Sequence, residues 1–416
     1  MFRFLTLLLI HLSIFWGTIS ASAQEKPYVL LISFDGFRWD YLDRGLTPHL
    51  DSLAKRGVRA LSLRSTFPSK TFPNHLSIIT GMYPENHGII MNRFVNPFTG
   101  EKYQVGDTTS VRDARWYWGE ALWETAERQG IISACYFWPG SEVHLSYRHP
   151  TYYEKYEHKR PYRTRVDGII RWLQLPEDRR PHFLTLYFDA TDTQGHAHGP
   201  DAPETNAAIQ RLDNITGYLL HKLQQIEFRD RINIIILSDH GMTEIRGDQL
   251  INIEKMLHGF PCQLQGIGPV MMVTPPPGQM EEVLATIQSQ ARHFRVYRRE
   301  EIPDYFHFKH NPFIAPIVLV AEPGWSLVNQ RMEQKMKTHT VGGNHGYDPN
   351  YLDMHGIFLA AGPAFKQGYR TGTLWNIDVY PLICKILGIV PRQNIDGKLE
   401  RIEFILKDES FHFRQK

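Results

Sequence analysis

Three aspartates, three histidines and one threonine are the residues of this chain best suited to chemistry, and they fall in five segments. Asp35 follows YVLLISF, Thr71 stands in KTFPNH, Asp192 and His196 in DTQGH, Asp239 and His240 follow INIIILS, and His345 stands in GNHGYD. Carboxylate oxygen and imidazole nitrogen are zinc ligands, and a catalytic zinc keeps one position open. Two such ions a few ångströms apart can clamp the attacking and leaving oxygens of a displacement at phosphorus. Three ligands for each of two zinc ions, with a hydroxyl nucleophile between them, point to metal-dependent phosphoryl transfer.

Taken singly, each aspartate is explained as well by a turn or a helix cap. The adjacent pair Asp239-His240 is a poor choice for capping, and Asp192 and His196 stand four apart, so one helical turn aims both at one point. Thr71 opens the helical segment FPNHLSIITG, where backbone N–H groups favour an anion. A metal would activate its weakly nucleophilic hydroxyl; the plain alternative is a helix N-cap. His75, His87, His198 and His355 read as supporting or surface histidines.

These residues need a frame that gathers them, and apolar runs alternating with helical patterns supply one: an α/β fold with a mostly parallel central sheet and helices on both faces. The runs at 28–34, 131–137, 182–188, 232–238 and 355–361 are continuously apolar, as strands covered on both faces are. Helices are expected after the Thr47 cap at Pro48, over 204–225 and over about 376–387. In an open α/β sheet ligands collect beyond the carboxyl ends of the strands, where Asp35, Asp192 and Asp239 would meet. Residues of about 243–341 read as a small α+β insert within a single catalytic domain of 24–416, and His345 must return to the site by a loop.

Composition narrows the function. The 416 residues are 42% hydrophobic and 12% aromatic, enough for a large core, and a net charge of +2 gives no reason to expect a nucleic-acid duplex or a membrane surface as partner. Residues 1–23 carry Arg3, an apolar stretch and Ala21-Ser22-Ala23, the pattern of a secretory signal peptide. No later run approaches the roughly 18 apolar residues of a spanning helix, so the protein is expected to be exported, periplasmic or secreted, without a transmembrane segment. Cys135, Cys262 and Cys384 cannot build a disulfide framework.

Seven motifs in order, SFDGFR (33–38), PSKTFPNH (68–75), GII-N (88–92), FWPGSE (137–142), DTQGHAHGP (192–200), SDHGM (238–242) and HGYD (345–348), give the chain a resemblance to the nucleotide pyrophosphatase/phosphodiesterases of the alkaline phosphatase superfamily, as a minimal bacterial-type member. The resemblance implies that Asp192, His196 and His345 hold a water-activating zinc and that Asp35, Thr71, Asp239 and His240 hold a second. It implies Thr71 as nucleophile through a phospho-threonine intermediate, Asn92 with the Phe72 N–H as donors to the phosphoryl oxygens, and Phe72 and Tyr187 as rings stacking a nucleobase. Tyr152 and Tyr153 are expected at the border of that pocket. The implied activity is zinc-dependent hydrolysis of nucleotide phosphodiesters and pyrophosphates to nucleoside 5'-monophosphates. A choline-phosphate phosphodiesterase with the same two metals is the alternative. The family's Glu-Glu-Pro-Asp form is here Asp189-Ala190-Thr191-Asp192, which keeps the ligand and changes its neighbours.

Overall fold

The computed structural model describes residues 26–338 and 341–407; the leader-like segment 1–23 lies outside them. Eight strands form the central sheet: β1 (Tyr28–Phe34), β2 (Val58–Ala60), β3 (Ser133–Tyr136), β4 (Tyr152–Glu154), β5 (Phe183–Phe188), β6 (Ile232–Leu237), β7 (Phe358–Ala361) and β8 (Tyr369–Thr371). Their spatial order is β8-β2-β7-β6-β1-β5-β3-β4. All neighbours run parallel except β7, which is antiparallel to both β6 and β2. The sheet is therefore mixed, with a parallel centre.

The apolar runs have the expected cause. Along β1, Val29 and Leu31 pack on one side of the sheet with α2 (Thr71–Thr80), while Leu30, Ile32 and Phe34 pack on the other with α4 (Pro203–Leu223). A strand with no wet face alternates between two cores rather than between core and water. Removing a fully buried leucine from water is worth roughly 1.5–3 kcal/mol, so these central strands fix the frame on which the site is built. The helix α1 (Pro48–Lys55) begins at Pro48, but Thr47 makes no cap to it; the Thr47 hydroxyl donates to Asp51 instead.

Between β6 and β7 the chain builds a second body. Gln263–Gln265, Val270–Thr274, Phe294–Arg298 and Ile317–Ala321 form a four-stranded antiparallel sheet, against which Val283, Leu284 and Ile287 of the helix Met280–Gln290 pack in a core of their own. The excursion is closed by a ribbon in which Thr243–Arg246 pairs antiparallel with Val341–Asn344, Thr243 standing opposite Asn344. His345 thus follows a strand directly, where a loop was expected. Among the described residues no helix is long and apolar enough to cross a membrane, and the three cysteines are free.

Candidate active site

The carboxyl ends of β1, β5 and β6 converge on one point. Asp35 follows β1, Asp239 follows β6 by two residues, and Asp192 stands on α3 (Ala190–His198), the short helix that leaves β5. Their approach depends on Gly36, whose φ is +65° and whose missing Cβ would lie 2.9 Å from Asp192 Cα. A side chain there would push the β1 turn off α3. The Asp192 N–H donates to Asp35 O at 3.0 Å, which locks the two together. His196, one helical turn beyond Asp192, has Nε2 3.2 Å from Asp192 Oδ1. The ribbon delivers His345, whose Nε2 lies 3.1 Å from His196 Nε2.

Asp192, His196 and His345 offer ligand atoms mutually within 4.8 Å, and so do Asp35, Asp192 and His240. His240 Nε2 lies 3.2 Å from Asp35 Oδ1, 3.1 Å from Asp239 Oδ2 and 3.3 Å from Thr71 Oγ1. The seven residues singled out in the sequence form one continuous cluster.

The tautomers follow from the surroundings. The Nδ1 atoms of His196, His240 and His345 each lie 2.8 Å from a carbonyl oxygen, of Gly343, Gly241 and Ser69 respectively. A carbonyl only accepts, so each Nδ1 carries a proton and each Nε2 is the atom turned into the cluster, able to ligate once it is unprotonated. That is the arrangement of metal-binding histidines, whose second nitrogen is held by an outer partner. His196 and His345 bring their Nε2 atoms within 3.1 Å, a separation that a shared proton or a metal ion between them satisfies.

The carboxylates tell the same story. Asp35 Oδ1, Asp192 Oδ1 and Asp239 Oδ2 are buried and have no hydrogen-bond donor, a costly arrangement for anionic oxygens. Burial, then the charges of Asp239 and Asp192, drive the Asp35 carboxyl well above the usual carboxylate range. A donor set of unpartnered carboxylate oxygens and bare imidazole nitrogens fits divalent metal ions.

Thr71 is the first residue of α2, with Lys70 at the cap position and no side-chain cap on the helix. The capping explanation for Thr71 is therefore gone, and its hydroxyl faces His240. The Phe72 N–H, expected to serve the phosphoryl oxygens beside Asn92, donates instead to Asn92 Oδ1 at 3.1 Å. That bond orients the Asn92 amide, leaving Nδ2 as its free donor. Lys70 bends the other way, its Nζ donating to Asn344 Oδ1 at 3.2 Å. Burial lowers its ammonium to about 8.

His75 is the residue that sequence reasoning undervalued. It lies within ligand distance of Asp35 and Asp239, yet its Nδ1 is 2.9 Å from the Thr71 carbonyl and 3.2 Å from Asp239 Oδ2, while Nε2 meets Ser33 Oγ at 2.8 Å. Nδ1 thus spends its proton on the Thr71 carbonyl, so His75 stands beside Asp239 and is not a ligand. Its spacing of four from Thr71 repeats that of Asp192 and His196, the one signal that could have found it. His87 and His355 are spent on local hydrogen bonds with Ser77 and Ser62, and His198 is exposed at the end of α3.

Next to the cluster opens a cavity of about 390 Å³ lined by Asp35, Thr71, Phe72, Asn92, Asp192 and Tyr187, and farther out by Phe137, Trp138, Tyr156, Arg112 and Glu142. Tyr187 is both wall and support, its hydroxyl donating to Asp35 Oδ2 at 2.5 Å. Tyr152 and Tyr153, expected at this border, lie on edge strand β4 away from the cavity, where the Tyr152 hydroxyl donates to Arg179 O. Tyr156 takes the place assigned to them.

Residues 29–348 match the family model described as type I phosphodiesterase / nucleotide pyrophosphatase. The chain belongs to this family. It is 35% identical over 389 residues to human ectonucleotide pyrophosphatase/phosphodiesterase family member 5, covering 93% of this chain and 80% of that protein. The bis(5'-adenosyl)-triphosphatase of Xenopus laevis is 36% identical over 389 residues, with 93% and 83% covered. Among solved structures, human ectonucleotide pyrophosphatase/phosphodiesterase 5 superposes with a TM-score of 0.86 at 34% identity, over 92% of this chain and all of that one. An inactive threonine-to-alanine variant of the murine enzyme in complex with AMP gives 0.85 at 32% identity, with the same coverage. The fold is that of the alkaline phosphatase superfamily, and the chain is a hydrolase of the phosphodiesterase and nucleotide pyrophosphatase type.

Proposed function

We propose that this enzyme hydrolyses nucleotide phosphodiesters and pyrophosphates with two zinc ions, through a phosphorylated Thr71, and releases nucleoside 5'-monophosphates. The observation that carries the reading is the position of Thr71 Oγ1, between the cluster of unpartnered ligand atoms and a cavity walled by aromatic rings. Asp192, His196 and His345 would hold one ion, and Asp35, Thr71, Asp239 and His240 the other. Three carboxylates and the single negative charge of a diester balance two divalent cations. When bound, such ions lower the pKa of coordinated oxygens and neutralise charge building on the phosphoryl group.

The chain supplies the rest. Thr71 Oγ1 attacks phosphorus in line, its bond to phosphorus forming as that to the leaving oxygen breaks. The N-terminal amides of α2 favour the anion, and Asn92 Nδ2 donates to a non-bridging oxygen. A water molecule then attacks the phospho-threonine from the vacated side, and the threonine oxygen departs. Two inversions give net retention at phosphorus. Phe72 and Tyr187 hold the base, and the AMP complex of the murine relative supports a nucleotide in this cavity.

A quaternary ammonium would want an aromatic cage with an unpaired acid. The cavity's one outer acid, Glu142, is paired with Arg112, whose Nη2 and Nε lie 2.5 and 3.1 Å from Glu142 Oε2. That pairing favours a nucleobase over a choline head group. Export is proposed from the leader-like segment. Turnover of the p-nitrophenyl ester of thymidine 5'-monophosphate against p-nitrophenyl phosphorylcholine tests the reading: a faster choline ester overturns it.

A further inference from the structure

A nucleophile and the ligands around it have to keep one fixed relation through both displacements, and two of these residues meet at the turn 66–70 that leads into α2. Thr71 opens the helix at the end of that turn. Within it the Ser69 carbonyl accepts from His345 Nδ1 at 2.8 Å, while Ser69 Oγ donates to Tyr347 O at 2.9 Å and accepts from the Gly346 N–H at 3.1 Å. One side chain spans the turn. Asn74, in the first turn of α2, is fully buried and stands outside the cavity lining. Its Nδ2 donates to Pro68 O at 3.0 Å and to Lys70 O at 2.9 Å. Its Oδ1 accepts from the Thr66 N–H at 2.7 Å and from Asn376 Nδ2 at 2.9 Å. Both amide hydrogens and the oxygen are therefore used, and three of the four bonds go to the turn. Asparagine is a poor helix former because its side chain competes for nearby backbone groups. Here that competition shapes the chain just before the helix.

We infer that Asn74 is a positioning residue: it fixes the turn 66–70 and through it sets Thr71 Oγ1 and the His345 ring in place together. The inference rests on the reading of Thr71 as nucleophile given above. Asn74 takes no part in the chemistry itself; it acts through the backbone on either side of Ser69. Opening the turn would shift Thr71 Oγ1 against phosphorus, and a misplacement of about 1 Å can cost a hundredfold in rate. The same opening would move the Ser69 carbonyl that orients His345, and disturbing the outer partner of a metal-binding histidine weakens metal binding. Asn376 lies in the same buried group, yet it touches Asn74 Oδ1 and neither carbonyl of the turn, so it separates general packing from positioning.

The test uses Asn74→Asp, which keeps the shape and the acceptor but turns a second oxygen onto the Pro68 and Lys70 carbonyls, with Asn376→Ala beside it. Rapid-quench mixing with bis(p-nitrophenyl) phosphate, a substrate without a base, measures how fast phosphate appears on Thr71 per folded molecule, and calorimetry measures zinc affinity. Asn74→Asp should phosphorylate Thr71 about a hundredfold more slowly and bind zinc roughly tenfold more weakly at one site. Asn376→Ala should lose thermal stability and keep both quantities near those of the unaltered enzyme. An unchanged phosphorylation rate or zinc affinity in Asn74→Asp, or equal losses in Asn376→Ala, overturns the inference. If Asn74→Asp does not fold, hydrogen exchange in the unaltered enzyme decides. The Thr66 N–H, whose acceptor is Asn74 Oδ1, should exchange as slowly as the amides of β1, and exchange as fast as that of an exposed loop overturns the inference. If unaltered enzyme that turns over never carries phosphate on Thr71, the reading of Thr71 as nucleophile is what fails.

Discussion

The hydroxyl of Tyr187 donates to Asp35 Oδ2, so a ring on the cavity wall and a carboxylate of the candidate metal cluster move as one unit. Burial, then the Asp35 charge, raises the Tyr187 phenol well above its ordinary range, so it stays a donor. Tyr187→Phe keeps the ring and removes only this bond. Loss of an outer partner of a metal ligand typically costs 10–100-fold, and that loss should fall equally on a nucleoside ester and on bis(p-nitrophenyl) phosphate. Tyr187→Ala should add a loss of about 1–3 kcal/mol in base binding, on the nucleoside ester alone. Full activity of the phenylalanine variant on both substrates would show that the bond is idle.

Replacing Thr71 with alanine should abolish turnover by several orders of magnitude while the bound metal content stays near normal, because three aspartates and three histidines remain. Acid-quenched unaltered enzyme should carry phosphate on Thr71, detectable by mass spectrometry, and the variant should carry none. Near-normal turnover by the variant removes Thr71 from the mechanism.

Metal binding should weaken as pH falls, and the direction follows from the metal-free site. Desolvation disfavours a charged His196, but the Asp192 carboxylate beside it outweighs this and raises its pKa above the usual imidazole value. A metal must displace that proton, so affinity should climb as pH rises through and beyond the ordinary histidine range. His345 is pushed the opposite way by burial and by His240, Lys70 and His196, and so stays neutral and ready to ligate. Chelation should abolish activity and zinc should restore it. A metal affinity flat between pH 6 and 8 in calorimetric titration would contradict this account.

Diesters should be hydrolysed faster than monoesters. Beside Thr71 the cavity offers the neutral Asn92 amide, and Arg112 is engaged by Glu142 on the cavity wall. Lys70 Nζ is turned onto Asn344. Nothing in the described chain gives the extra charge of a monoester a dedicated cation. Equal rates on p-nitrophenyl phosphate and on the thymidine ester would refute this.

The central strands were legible because burial on both faces leaves continuous apolar runs such as YVLLISF. Edge strands of three residues, Tyr152–Glu154 and Tyr369–Thr371, carry too little pattern to read, and the reversed direction of Phe358–Ala361 leaves no mark in its composition. In the site, residue types and spacing exposed the seven cluster residues, whereas orientation was hidden. No sequence pattern says that the Phe72 N–H turns to Asn92, that Tyr187 reaches Asp35, or that His75 stands against Asp239, because each depends on where two distant segments meet.

The ribbon that pairs Thr243 with Asn344 also bears on how such enzymes diversify. It pins the two ends of an excursion of about a hundred residues immediately beside His240 and His345, and the entropic cost of closing a loop grows only with the logarithm of its length. The intervening segment can therefore be lengthened, trimmed or exchanged while the chemistry at its base is preserved. A lineage can exchange that whole body without rebuilding the machinery that cleaves the substrate.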